Sequence, residues 1–553
     1  MFKPKYLQTV VFVASALASM SVSAADVIPA GGAITLQQAV RLGIQNAPSI
    51  MVANIQVDLA KADQSESADP FGPVFKAGLA HENVRGYEYP TELQQLSPLL
   101  PAPSTFMADK QNNNQFTSSL SKLYRSGIFA EFSVSTASSS NVKQNADFAA
   151  VPALLDSLGL KPGAQARNYT PVHPSTIQLT MNFPLMKFRG ENNIAAANER
   201  QKSHQREAAE MTLKHAVAVI IQNVVNAYAN FKATSAKLKF TQESATQVQG
   251  WIQKMEKEGA GGGARPRTEE ALSHLRGFYQ QLVGEVSKTT ELVSSARSGL
   301  AQAIGMAADD ARKITQASDE FPLDWSAVLA SFKADELRAR WNLMAEQNRF
   351  DLKAGMVQVQ AADAISLGAK NDVLPKLDLA LVLKRQGLSA GGTNLFDVDS
   401  FSTGKSPLGV AALLSYEYKF DNDKAKAQVV RTRYLKFQKE IEYNEIKRAV
   451  GLGVDTAVNS VYNGLIGLQS AKQQSNLYQR ALNGLIKDDS IPSGREFDLV
   501  VIEQARLKAF VDNVTAVQVL SNAVTAAHFQ TGNLLRSVDN IQEVAISDIN
   551  RLP

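Results

Sequence analysis

Four carboxylates crowd one short stretch: Asp488, Asp489, Glu496 and Asp498 fall within eleven residues. Acids at that density have two physical uses. They complement the positive end of a helix dipole at a helix start. Repeated by symmetry around an axis, they concentrate a negative field that favours cations. Catalytic chemistry has less to stand on. The six histidines, at 81, 173, 204, 215, 274 and 528, show no ligand spacing, and His215 sits beside an apolar helical face where packing is its expected role. The chain has no cysteine, which removes disulfides, thiolate metal sites and Cys catalysis together. The run Gly259-Ala260-Gly261-Gly262-Gly263 lacks a Gly-Lys-Ser/Thr ending and follows a helical pattern, so it reads as a helix-to-helix turn and not a phosphate loop. The expectation is no enzyme, no cofactor and no metal.

The elements that position the acids explain more than the acids do. Residues 190–258 carry no proline and place Leu213, Val217, Ile220, Val224, Tyr228 and Phe231 at helical spacing. A helix of that length spans about 100 Å at 1.5 Å per residue. A coiled coil or a tunnel wall needs such a rod; a compact domain does not. At the N-terminus, Lys3 and Lys5 precede an apolar run and Val22-Ser23-Ala24 offers a small-x-small cleavage signature, so 1–24 reads as a secretory signal peptide. Its removal takes away two lysines and no acids, lowering the formal net charge from +4 to +2. That near-neutral balance argues for no nucleic-acid partner. No run of 18 apolar residues follows, so any membrane crossing has to be made by strands.

In chain order, 35–67 reads as helix, interrupted at Ala47-Pro48, and 74–84 as a strand. A polar run to 112 reads as a loop. Phe116 to Thr136 reads as a hairpin about the turn Arg125-Ser126-Gly127. After a second long loop, 175–188 is the cleanest strand: Ile177, Leu179, Met181 and Phe183 alternate with Gln178, Thr180 and Asn182. The long helix 190–258, a tip at 259–267 and a helix over 268–304 complete a first repeat, 25–305. A linker, 306–324, follows.

The order then recurs in a second repeat, 325–532: helix 325–371, strands 376–385 and 409–420, long helix 424–487, tip 488–494 and helix 495–531. A C-terminal segment, 533–553, closes the chain. Setting Asn46 on Asn348 without gaps places Pro73 on Pro375 and Leu79 on Leu381. In the long helices, setting Tyr228 on Tyr462 places Val224 on Val458.

These residues resemble the TolC-like outer membrane efflux protein family across nearly all of the chain after the signal. The resemblance is carried by Ile34-Thr35-Leu36-Gln37-Gln38-Ala39-Val40 with Asn46-Ala47-Pro48, by Phe183-Pro184-Leu185 with Arg189-Gly190, and by the endings Ala303-Ile304-Gly305 and Gln530-Thr531-Gly532. It implies an α+β membrane protein: a trimeric transmembrane β-barrel continuous with a long periplasmic α-helical barrel, two tandem repeats per chain, four strands per copy and twelve per barrel. Open strand edges are not viable in lipid, which agrees with a homotrimer. The implied function is a passive exit duct in the outer membrane, serving a tripartite efflux pump or type I secretion system. Its implied partners are a periplasmic adaptor, an inner-membrane transporter (RND, ABC or similar) and outer membrane lipid. The other reading is a periplasmic coiled-coil adaptor with soluble strands.

The resemblance also implies an acidic periplasmic entrance. Asp498 best matches the family's position, with Asp488, Asp489 and Glu496 as further gate candidates; the family's second aspartate falls near Val501. A dipole-complementing role competes for Asp498. Adaptor contact is expected at the tips, through Ala260, Gly262, Arg265 and Arg267 and through Ser490 and Gly494. Tyr418 stands where the first half has Pro184. The hairpin is an addition, and we read it as folded outside the barrel; inside the wall it would bring eighteen strands per trimer.

Overall fold

Punctuation by proline, glycine and asparagine sets most element ends. The computed structural model describes residues 32–88, 107–144, 172–260, 269–319, 326–390, 407–486, 495–535 and 552–553. The expected signal peptide and nearly all of both tips lie outside these. The chain divides into two compact units. One comprises Lys61–His204 and Gln360–Gln438; the other comprises Met1–Ala60, Gln205–Val359 and Lys439–Pro553.

The helical unit begins with a short strand, β1 (Ala33–Ile34), followed by α1 (Leu36–Asn46). Thr35 caps α1 by accepting from the Gln38 amide at 3.2 Å, while the Gln38 side chain accepts from the Thr35 amide at 3.0 Å. This reciprocal box satisfies two amides that the helix start leaves unpaired. Pro48 then opens α2 (Pro48–Ala68), where a missing amide costs nothing. The long helix α3 runs unbroken over Ile194–Ala260, and α4 (Glu269–Ala303) follows it. The expected linker is partly ordered. It holds the turn α5 (Ala308–Ala311) and β6 (Gln316–Ala317), which pairs in parallel with β1.

The expected single helix over 325–371 is three: α6 (Ser326–Ala330), α7 (Ala334–Asn348) and α8 (Phe350–Asp372). Arg349 is the break, extended at φ −69°, ψ 125°. No proline marks it. Its guanidinium is buried against Asp351 at 2.6 Å and also donates to Gln530, so tertiary partners impose the break. The second long helix, α9, covers Asp423–Leu485, and α10 covers Glu496–Gln530.

The ends of the two returning helices pack alike. Gly305 (φ +71°) and Gly532 (φ +74°) end the two returning helices in left-handed backbone, pressed against Asn46 and Asn348 respectively. A Cβ at either position would come within 2.9 Å of those residues. Between Val217 and Tyr228 the burial pattern favours a superposition one residue away from the expected one. Val217, Ile221, Val225 and Tyr228 are buried in α3, and Val450, Val454, Val458 and Val461 are buried in α9. Tyr228 therefore corresponds to Val461, while Tyr462 is 43% exposed. One residue is 100° of helix, so matching two tyrosines by type set the faces wrongly.

The other unit carries a six-stranded antiparallel sheet of β2 (Val74–Glu88), β3 (Met107–Leu123), β4 (Phe129–Gln144), β5 (Val172–Pro184), β7 (Lys376–Ala390) and β8 (Gly409–Glu417), in that spatial order. Strands β2, β3, β4 and β7 run longer than expected, because Asn-, Gln- and Ser-rich segments that read as loops join the ladder. Antiparallel main-chain pairing tolerates polar side chains on an uncovered face. β5 and β8 end earlier, at Pro184 and Glu417. The hairpin β3–β4 lies inside the sheet, between β2 and β5, so placing it apart from the other strands is wrong.

Candidate functional site: a two-faced sheet and a helix-bundle end

Register turns the sheet into one surface. A single row crosses all six strands through Phe75, Leu120, Phe132, Leu179, Leu383 and Val410, each the direct partner of the next. Side chains two residues along a strand share a face. The same side therefore also carries Leu79, Phe116, Val134, Ile177, Met181, Leu381, Leu414 and Tyr416. Much of it is open in the single chain: Phe75 is 69% exposed, Leu79 72% and Leu414 63%. The opposite face carries Lys76, Thr117, Ser119, Ser133, Ser135, Gln178, Thr180, Asp378 and Lys384. An apolar face open over six strands, backed by a hydroxyl- and amide-rich face, inverts the usual soluble arrangement. It suits lipid on one side and water on the other.

The inserted hairpin is fixed at its turn. Tyr124 donates to the Ile128 carbonyl at 2.8 Å, and Gly127 takes φ +87°. A Cβ on Gly127 would lie 1.9 Å from the Phe188 carbonyl oxygen, so only glycine fits. The amide of Gly190 donates to the Ser126 carbonyl at 2.9 Å, and Asn193 Nδ2 donates to the Arg125 carbonyl at 2.7 Å. Arg125 forks onto Glu199 with two 2.6 Å bonds, a bidentate geometry that holds direction as well as charge. The turn is thus tied to the first residues of α3.

The second site is the bundle end. Trp251, Met255, Leu275, Phe278, Leu482 and Leu499, from α3, α4, α9 and α10, pack as one apolar cluster. Beside it lies a buried polar layer. Arg506 donates to Glu503 with Nε–Oε2 at 2.7 Å and Nη2–Oε1 at 2.6 Å. It also donates to Gln479 on α9 and Gln247 on α3, each at 3.1 Å. Ser244 on α3 donates to Glu503. The guanidinium sits 4.6 Å above the Phe240 ring, which stacks on Phe510 at 3.6 Å. One arginine therefore ties three helices together. Sequence reasoning missed it, because Glu503 and Arg506 at i, i+3 look like a solvated pair. The aromatic Phe510 one turn beyond Arg506 was the available signal.

Of the expected gate acids, Asp498 and Glu496 lie in the first turn of α10. Glu496 is buried at 8%, whereas the Asp498 side chain is 52% exposed and accepts from Arg495 Nε at 2.9 Å. Val501, one turn on, is 63% exposed. Ala260 is the last residue of α3. Asp488, Asp489, Ser490, Gly494, Gly262, Arg265 and Arg267 lie outside the described residues.

No protein-family model matches the chain, and no curated protein matches it. Solved structures do. The transmembrane channel CusC matches with a TM-score of 0.54 at 12% identity, covering 90% of this chain and 92% of that one. The Campylobacter jejuni CmeC outer membrane channel matches with a TM-score of 0.54 at 13% identity, over 94% and 90%. The open-state Neisseria gonorrhoeae MtrE outer membrane channel matches with a TM-score of 0.51 at 13% identity, over 91% of both chains. At such identities the likeness speaks for the fold, along essentially the whole length. The chain has the fold of the TolC-like outer membrane efflux channels.

Proposed function

We propose that this protein is the outer membrane exit duct of a tripartite efflux pump or type I secretion system. It acts as a homotrimer and conducts passively. The observation that carries this is the sheet's single apolar face, continuous over six strands and uncovered in the chain. Lipid is the solvent such a face suits, and a free-edged sheet in lipid must close with other copies. Exposed apolar stripes on the helices support self-association: Met51, Val52, Ile55 and Leu59 on α2, and Val430, Tyr434, Phe437 and Ile441 on α9.

On this reading, helices α3 and α9, of 67 and 63 residues, provide the length for a periplasmic crossing. Asp498 repeats as a ring of carboxylates at the inner entrance, with Arg495 beside each. A periplasmic adaptor meets the two tips, and an inner-membrane transporter of RND, ABC or similar type supplies energy and selects the substrate. The test is membrane fractionation followed by planar-bilayer recording of the purified protein. Outer membrane trimers that open discrete channels are expected. A soluble periplasmic monomer overturns the proposal.

A further inference from the structure

We infer that the outer membrane wall of this duct has eighteen strands, six from each copy, in place of the twelve the family resemblance implies. The inference rests on the trimeric channel reading for the number of copies. The six strands per copy are given by the sheet itself.

Four observations bear on it independently. The hairpin β3–β4 is bonded on both sides, to β2 along the full length of β2 and to β5 through Phe129–Asn182 and its successors. Its apolar residues Phe116, Leu120, Phe132 and Val134 fall on the same face as those of β5 and β7. A hairpin folded in water would have no reason to keep that register, since a one-residue slip would turn the whole set over. The turn is anchored by Arg125–Glu199 and by Gly190, so the pair is held at the α3 end of the sheet like its neighbours. Finally, inserting two strands keeps the number even. β2 and β8, the two edges, run antiparallel, so an edge of one copy can pair with the opposite edge of the next with the apolar face outward throughout. An odd insertion would have put like-directed edges together.

Barrel diameter grows roughly in proportion to strand number, so the wall is about half again as wide as a twelve-stranded one. Barrels of 16–18 strands leave an aqueous lumen. Over Thr117–Ser121 and Glu131–Ser135 the hairpin lines its share of that lumen with Thr117, Ser119, Ser121, Ser133 and Ser135 together with Glu131, and farther along the same face the ladder pairs Asp109 with Lys143. The added width is therefore a polar, water-filled bore, suited to bulky cargo.

Because the native chain has no cysteine, introduced pairs report cleanly. The full-length protein would be oxidised in isolated outer membranes and run on denaturing gels, with purified trimers imaged by electron cryomicroscopy. A80C combined with A411C, L413C or S415C tests edge pairing between copies and reports assembly alone. K76C with S119C, and S133C with Q178C, test the inserted strands. Covalent trimers from the edge panel, both intrachain crosslinks and an eighteen-stranded map are expected. Covalent trimers in which K76C instead joins T176C, Q178C or T180C, with a twelve-stranded map, overturn the eighteen-stranded wall and leave the channel reading standing. Absence of covalent trimers across the edge panel, with a soluble chain, overturns the channel reading itself and the strand count with it.

Discussion

Arg506 and Glu503 form a two-bond ion pair inside the helical bundle, at 2.7 and 2.6 Å, with the Glu503 side chain wholly shielded from solvent. The pair satisfies itself and spends the remaining guanidinium donors on Gln247 and Gln479. Removing one partner strands the other in a dry site.

Arg506→Ala is accordingly expected to cost about 3–5 kcal/mol, whereas a double apolar replacement of both residues should cost far less, because no charge is left unpaired. Chemical denaturation of the detergent-solubilised protein separates the two cases. Equal losses in single and double variants would refute the buried-pair account.

Gly127→Ala should be far worse than Gly190→Ala, though both glycines have positive φ, +87° and +71°. Left-handed backbone costs alanine about 1–2 kcal/mol. Only at Gly127 does a Cβ also strike backbone, 1.9 Å from the Phe188 carbonyl oxygen; at Gly190 nothing lies within 4 Å. Thermal melting and trimer yield should fall steeply for the first and modestly for the second.

Tyr228→Phe tests the corrected helix register. The Tyr228 hydroxyl donates to Asp319 Oδ2 at 2.7 Å and lies 3.2 Å from the Ile34 carbonyl, and its burial pushes the phenol pKa upward. Loss of the hydroxyl is expected to cost about 1–3 kcal/mol by leaving buried partners unmatched. Tyr462→Phe should stay within about 0.5 kcal/mol, as for other surface changes. A similar loss at both positions would restore the tyrosine-on-tyrosine alignment.

Asp498→Ala is expected to lower cation selectivity or weaken divalent block in bilayers. Arg495→Ala should do the reverse, by freeing the carboxylate it now holds at 2.9 Å. Unchanged selectivity in both variants would remove Asp498 from the entrance and leave it complementing the start of α10.

His215 predicts a pH dependence. Burial holds its pKa below the usual value, with Arg349 acting in the same direction and Asp351 opposing. Its ring packs on Phe529 at 5.7 Å. The folded state thus disfavours the charged imidazole, so below about pH 6.5 the unfolded chain takes up a proton more readily than the folded one. Stability should be unaffected by this group above that pH and fall as pH drops beneath it. Below the ordinary carboxylate range Asp351, whose pKa is lowered against its own burial by Arg349, adds to the loss. His215→Gln should flatten the melting temperature between about pH 6.5 and 5. An unchanged slope would clear His215.

Much of this fold is written locally. Unbroken helical periodicity without proline over α3 and α9, alternation on β5 and β7, and punctuation such as Ala47-Pro48 and Arg125-Ser126-Gly127 depend on near neighbours, and each recurs in the structure. The order of these elements is equally local, so it could be read along the chain before any contact was known. Asp498 could be placed at a helix start for the same reason.

Three things were settled only by contacts distant in sequence. A polar strand such as Asn112–Gln115 looks like a loop until a partner ladder pairs its amides, so the hairpin's place between β2 and β5 needed the sheet. A helical residue's face is fixed by what packs on it, so Tyr228 and Tyr462 proved to be one position, and 100°, apart. Burial of Glu503 and Arg506 depends on α3 and α9 arriving beside α10. Residue types and spacing determine backbone habit along the chain; which side chains become lining, wall or lock depends on the neighbours that tertiary packing brings, and a pattern of types carries no record of them.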